Sequence, residues 1–293
     1  MDPDPPGMPS AQPAASVTHA GASGDWPPWM APAALAGAFV MANFAALLID
    51  LPAAALGVRV TGSHLPAGLE LTDTMAQDFV FVGTALLFAG MGGRRLYSWQ
   101  FGLRRAHVGR ALAWLVGVLI ASIVFDAVWA ELAGSPHEKV LESLGANQSS
   151  LLLALSALLT CVIAPICEEF LFRGFVFQAL RNWRGPWLGA LLTGLLFGAF
   201  HIGSAPAVDL VPLAALGFAL CFLYWRTGSL YPCIAAHALN NSIAYGSQEH
   251  WRWWQVIALV LAALALIWLL ARSLKRAGVI SGASEIPLAV EDA

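Results

Sequence analysis

Charge is what this chain has least of. Only 11% of its 293 residues are Asp, Glu, Lys or Arg, while 58% are hydrophobic and the mean hydropathy is +0.69. Soluble domains carry about 25% charged residues, so an ordinary soluble class is excluded and a polytopic membrane protein is expected. The net charge is −3 and the basic residues are scattered, which leaves no footprint for nucleic acid. Cysteine is also scarce. Cys161, Cys167, Cys221 and Cys233 lie in apolar stretches without Cys-x-x-Cys spacing, which argues against a zinc ribbon and a disulfide framework. Cys167 adjoins an acidic pair, but a thiol in apolar surroundings reads as inert packing. Residues 1–28 contain no Lys or Arg and so lack the basic region of a secretory signal. Rich in Pro, Ala, Gly and Ser, they read as a disordered cytoplasmic tail, and 277–293 as a second, acidic-tipped one. No repeat at solenoid period is present.

What the chain does have is long apolar runs. A spanning helix needs about 20 mostly apolar residues. Eight segments approach this: 29–49, 77–93, 111–131, 150–179, 187–203, 207–225, 229–246 and 252–271. The expected fold is all-α, a bundle of about eight transmembrane helices spanning 29–276 in the lipid bilayer. Trp29, Trp187, Trp225, Trp251, Trp253 and Trp254 sit at segment ends, where an interfacial aromatic belt belongs. Alternating the eight segments leaves only Arg59, Lys139 and Arg252 on one side, with Arg173 inside a span and every other basic residue on the opposite side. The positive-inside rule then places both termini in the cytoplasm. The Ala- and Trp-rich character points to a bacterial inner membrane.

Three polar clusters interrupt the apolar segments. Glu168-Glu169-Phe170-Leu171-Phe172-Arg173 follows the run 151–166, and on the lenient insertion scale each such charge costs roughly 2.5–3.5 kcal/mol at mid-bilayer. His201 closes Phe197-Gly198-Ala199-Phe200-His201, and His237 opens His237-Ala238-Leu239-Asn240-Asn241. Counted from the cytoplasmic ends at about 1.5 Å per residue, Glu168 lies roughly 18 Å deep, His201 roughly 21 Å, His237 roughly 12–16 Å and Asn241 roughly 18–22 Å. One layer therefore holds polar residues from three helices, which requires a water-filled cavity.

Helical spacing divides the work. Glu169 and Arg173 stand at i,i+4 in the favourable acid-before-base order and can neutralise each other. Glu168 points about 100° away around the helix and lacks that partner, so it is the candidate general base, with His201 sharing its water. His237 and Asn241, also four apart, share a face and supply N–H donors for an oxyanion. Phe197 is placed to pack beneath His201. Asp126 has no assigned role, and Asn240 reads as a helix-contact residue. The bland alternatives are structural: a Glu–Arg lock, and histidines that bond neighbouring helices.

These elements together resemble the CAAX protease and bacteriocin-processing family, the glutamic-type intramembrane endopeptidases that include type II CAAX prenyl endopeptidases. Its pattern is Glu-Glu-x-x-x-Arg, then Phe-x-x-x-His, then His-x-x-x-Asn, each on its own transmembrane helix. Glu168, Glu169 and Arg173 match the first, Phe197 and His201 the second, and His237 and Asn241 the third, with Gly174 after the arginine as is usual there. The likeness covers residues 150–246, a core within the helical domain. It implies a protease acting on a membrane-associated peptide or protein. Glu168 and His201 would activate water, His237 and Asn241 would form the oxyanion site, and Glu169 with Arg173 would support them. No cofactor is expected. The family has long been described as metalloprotease-like, and Glu168, His201 and His237 would make a His-His-carboxylate set if a divalent ion such as zinc were bound.

Two other functions compete. A non-catalytic membrane partner, or a protein of the bacteriocin-immunity type, could bind a peptide in the same cavity. A proton-coupled transporter would also place carboxylates and histidines in the membrane, but Pro165 has no matching broken helix in a second half. Substrate, cleavage site and oligomeric state are not encoded in any recognisable pattern.

Overall fold

A computed structural model describes residues 24–60, 65–134 and 143–280. Among these the chain is all-α, without a β-strand. Helices α1 (Met30–Ala55), α2 (Ala67–Ala89) and α3 (Val108–Ala133) precede a long interrupted stretch. That stretch runs through α4 (Ser150–Leu158), a π-turn (Leu159–Ile163), α5 (Ala164–Leu171), a second π-turn (Phe172–Val176) and α6 (Phe177–Phe200). Then follow α7 (Leu210–Thr227), α8 (Leu230–Gln248) and α9 (Trp253–Arg276). Helix α6 is broken where Arg184 leaves helical geometry and Gly185 takes φ 78°. Pro186 then opens the next rod. A left-handed glycine ends a helix and proline suits the first helical position, so Gly185-Pro186 is a stop followed by a start.

Each of the eight predicted segments falls on a helix. Among the described residues five stretches, however, are long and apolar enough to cross a membrane: Met30–Ala55, Val108–Ala133, Ser150–Phe200, Ala207–Thr227 and Trp253–Arg276. The expectation of about eight crossings is thus not met by this criterion, for identifiable reasons. The 51 residues of Ser150–Phe200 join two predicted segments that the Gly185 break separates. Helix α2 carries Glu70, Asp73 and Asp78, and α8 carries His237, Asn240 and Asn241, which lower their hydropathy.

The outer faces suit lipid. Phe39 is 63% exposed and Leu261 62%, and Leu48, Leu51, Leu112, Ile120 and Trp268 are exposed as well. In water, so large an apolar surface would be a liability. Trp29, Trp187, Trp253 and Trp254 are exposed at helix ends, as interfacial anchors should be. Inside, two apolar clusters meet at Phe170, one built around Phe81, Phe172, Phe175 and Phe197, the other around Leu220, Tyr224, Leu230 and Tyr245.

Of the predicted N-terminal tail, residues 1–23 lie outside the described part. The rest of it is anchored. Trp26 is buried, 4.8 Å from the Phe175 ring and 5.1 Å from Phe101. Gly24 N donates to Gln178 Oε1 at 3.1 Å, and Asn182 Nδ2 donates to Gly24 O at 2.9 Å. Of the C-terminal tail, 281–293 lie outside the described residues.

Small residues bring α6 and α7 together. A Cβ on Gly198 would stand 2.5 Å from Leu210 O, one on Gly194 2.7 Å from Ala214 O, and one on Gly217 2.9 Å from Phe197 Cβ. Such close approach lets helices gain dispersion contacts where lipid offers no hydrophobic drive. Gly198→Val should therefore destabilise the protein by about 1–3 kcal/mol, the usual cost of overpacking. A thermal-aggregation midpoint in detergent reads this out, and an unchanged midpoint would refute the close contact.

Candidate active site

The acidic pair sits on α5, a helix of two turns between the two π-turns. Pro165 lies at its start and has no N–H to give the preceding turn, which fits a wider turn over 159–163. A π-turn breaks the regular ladder of backbone bonds and is frequent at functional sites. Both π-turns here offer a carbonyl to a side-chain amide. Thr160 O accepts from Asn241 Nδ2 at 3.0 Å, and Gly174 O accepts from Gln178 Nε2. The first bond ties α8 to the segment that carries the glutamates.

Glu169 and Arg173 are sealed in the core, each 0% exposed. Arg173 Nη1 donates to Glu169 Oε1 at 2.7 Å, and Nη2 donates to Gly217 O at 3.0 Å. The guanidinium lies over the Phe197 ring, 4.7 Å from its centroid. The close approach of α6 and α7 therefore also positions the carbonyl that Arg173 uses. Glu169 Oε1 has a second partner, His237 Nδ1 at 2.8 Å. Against a carboxylate, Nδ1 carries the hydrogen and donates it. His237 is thus fixed in orientation by Glu169, with Nε2 turned toward Glu168.

Glu168 differs from its neighbour in both exposure and bonding. Its side chain is 15% exposed, its Oε2 stands 3.9 Å from His237 Nε2, and that oxygen has no hydrogen-bond partner. His201 caps the end of α6, its Nδ1 2.8 Å from Phe197 O. With Nδ1–H donating to that carbonyl, Nε2 is left as an acceptor. Phe197 is the shared wall of the site: its ring centroid is 4.9 Å from His201 and 5.7 Å from His237.

Of the residues expected to form the site, Glu168, Glu169, Arg173 and His237 converge directly, and Phe197 carries His201 to the same place. Asn241 lies one turn beyond His237 with one N–H bound to Thr160 O, so its second N–H and its Oδ1 are left for a ligand. His237, read with Asn241 as an oxyanion donor, is also bonded through Nδ1 to Glu169 and so joins the Glu169–Arg173 network. Asp126 lines an apolar cavity of about 710 Å³ walled by α3, α6 and α7. One residue was missed: Asp78 on α2, only 1% exposed, with an Oδ2 that has no partner. It belongs to no motif, and its only signal was being an acid inside a predicted span.

Among the described residues no group of three or more His, Cys, Asp or Glu side chains is arranged to hold a metal ion. In the Glu168, His201 and His237 set, Nδ1 of each histidine is already engaged, by Phe197 O and by Glu169.

Residues 150–243 match the family model described as Type II CAAX prenyl endopeptidase Rce1-like. This segment is similar to that family. It contains all three motifs, so the resemblance drawn from them holds over the part of the chain that carries them. The chain is 32% identical over 127 residues to an Escherichia coli protein named "Uncharacterized 24.3 kDa protein", an alignment covering 42% of this chain and 58% of that one. It is 32% identical over 88 residues to the "Putative membrane peptidase YdiL" of Bacillus subtilis, covering 30% of this chain and 35% of that one. The matches thus span less than two thirds of either relative. No solved structure matches the chain. The apolar helices make this a multi-pass membrane protein, and residues 150–243 within it are similar to the CAAX-type endopeptidase family.

Proposed function

We propose that the chain is an intramembrane endopeptidase that hydrolyses a peptide bond in a membrane-associated protein or peptide. The observation that carries this reading is the contrast between two adjacent glutamates: Glu169 is fully buried with Oε1 bonded to both Arg173 and His237, whereas Glu168 is 15% exposed, its Oε2 3.9 Å from His237 Nε2. A structural lock would need only the first.

In the proposed reaction, water held by Glu168 and His201 Nε2 attacks the scissile carbonyl carbon, and Glu168 takes its proton. The carbonyl π electrons move onto oxygen. The free N–H of Asn241, with His237 Nε2 once that atom carries a proton, donates to the developing oxyanion. The intermediate then collapses, the C–N bond breaks, and Glu168 returns the proton to the leaving nitrogen. Glu169 acts through His237, holding its ring by Nδ1, and Arg173 balances the charge of Glu169. None of these steps is routed through a metal.

We infer a cell-membrane location with both termini cytoplasmic, a reading that the distribution of basic residues supports. Comparing membrane peptidomes of cells carrying the wild type and Glu168→Ala tests the function: a substrate peptide should be intact only in the variant strain. Identical peptidomes, with both proteins present at equal levels, would count against it. Asn241→Ala should lower kcat by about 10²-fold with KM unchanged, as loss of one oxyanion donor does. A rise in KM alone would assign Asn241 to substrate binding instead.

A further inference from the structure

The two ends of the bundle differ in charge. Apart from Asp25, the described residues at one end carry only basic charges: 90–110, 180–187, 226–229 and 271–280 hold Arg and Lys but no Asp or Glu. Hydrogen bonds tie several of these loops together. Arg104 Nε donates to Gly228 O at 2.6 Å, Gln178 Nε2 to Gln100 O at 2.8 Å, and Arg94 Nη1 to Asp25 O at 3.3 Å. Acids stand at the other end: Asp50 late in α1, Glu70 and Asp73 in the first turns of α2, Asp209 just before α7 and Glu249 just after α8.

From the basic end, the way to the site is filled. Every residue from Leu171 to Leu180 is buried, and Glu168 lies roughly 18 Å from that end of the helix at about 1.5 Å per residue. Aromatic rings close around this stretch. Trp26 packs on Phe101 and Phe175, and Phe177 meets Tyr224 edge-on at 6.0 Å. Toward the acidic end the site is less covered. His201 follows the last residue of α6, and the next three residues are exposed, Ile202 by 70%. Trp129 fastens the far side of this loop, its Nε1 donating to Val208 O at 2.8 Å. On α8, His237 and Ala238 are buried, whereas Leu239, Asn240 and Asn241 are part-exposed and Ile243 is 40% exposed.

Hydrolysis needs water and an extended stretch of peptide beside Glu168. The bilayer core holds no water, and the packing on the basic side leaves no passage for either. We propose that the site is entered from the acidic end, and that its substrate is a membrane-anchored peptide whose scissile segment lies on the extracytoplasmic side. The positive-inside rule puts the basic end in the cytoplasm, so the loop after His201 faces outward. A chain emerging from the outer side of the membrane meets this loop first, where the exposed Ile202 offers an apolar contact beside His201. A cytoplasmic tail would instead have to cross the buried layer Leu171–Leu180. The substrate class rests on the endopeptidase reading, while the side of entry does not.

The full-length protein in bacterial membrane vesicles of known orientation tests the side of entry without a substrate. The four native cysteines are buried, so the wild type sets the background. A membrane-impermeant, negatively charged methanethiosulfonate should modify Glu168→Cys in right-side-out vesicles and not in inverted ones. Asn241→Cys should give the same reading, which covers the case that Glu168→Cys does not fold. Ser204→Cys, in the exposed loop, should label with them, and Arg184→Cys, exposed at the basic end, only in inverted vesicles. Site cysteines that label from the Arg184 side, or from neither side, would overturn the entry. Arg184→Cys labelled in right-side-out vesicles, with Ser204→Cys labelled in inverted ones, would overturn the extracytoplasmic assignment. Peptidomes of cells carrying the wild type and Glu168→Ala test the substrate class. Cuts lost in the variant should lie on the extracytoplasmic flank of their membrane anchors, and cuts on the cytoplasmic flank would overturn that class. Identical peptidomes would count against the endopeptidase reading, and the labelling would still decide the side of entry.

Discussion

Glu168→Gln should lower kcat on a membrane-tethered peptide by about 10²- to 10⁴-fold, the range lost with a general base, while the protein folds as before. The asymmetry follows from the surroundings of the side chain. Glu168 is part-exposed and its Oε2 has no hydrogen-bond partner. Gln keeps the shape and removes little that holds the bundle together, so the change in stability should stay within about 0.5 kcal/mol, as for substitutions away from buried networks. Purified protein in detergent gives both numbers, from initial rates and from a thermal midpoint. A rate within twofold of wild type would remove Glu168 from the chemistry. A large fall in the midpoint would instead move it into the structural network.

The opposite pattern is expected one residue further on. Arg173→Met should destabilise the protein by about 3–5 kcal/mol, because it strands a buried charge that had a directly bonded partner. Arg173 and Glu169 are both fully buried, 2.7 Å apart, and no water can take over for the lost guanidinium. His237 keeps its bond to Glu169, but a neutral imidazole compensates only in part. Pairing the change with Glu169→Gln should recover most of the stability, since replacing both charges of a buried pair is often close to neutral. It should not recover activity, because His237 then loses the carboxylate that orients it. The double-mutant cycle in thermal midpoints measures this coupling. Additive losses would mean that the two side chains do not depend on each other.

Most of the site could be read from residue spacing. Glu169 with Arg173, Phe197 with His201, and His237 with Asn241 are each four apart on a helix, so a helical reading alone put each pair on one face. A depth count then placed three helices in one layer. Spacing within a helix cannot show which side chains meet across helices. Periodicity groups His237 with Asn241, and it gives no sign of the bond from His237 Nδ1 to Glu169 on α5. Asn241 meets Thr160 only because a π-turn presents that carbonyl, and no residue pattern announces such a turn. Asp78 was passed over for a similar reason: a single acid has no period. The start of α2 was placed at 77 rather than 67 because Glu70, Thr72, Asp73 and Thr74 hide its first turns from a hydropathy reading. Trp26 was assigned to a tail by the Pro- and Gly-rich composition around it, although one indole packed against Phe101 and Phe175 is enough to anchor the segment.

The division of labour between the two glutamates is the centre of the account, and one measurement reaches it directly. Purified protein is incubated with a membrane-tethered peptide in oxygen-18 water, and the products are weighed by mass spectrometry. The wild type should release a fragment carrying one oxygen-18 atom in its new terminal carboxylate, and Glu168→Gln, equally folded, should release none. Unlabelled product, or labelled product formed at the wild-type rate by Glu168→Gln, would contradict it.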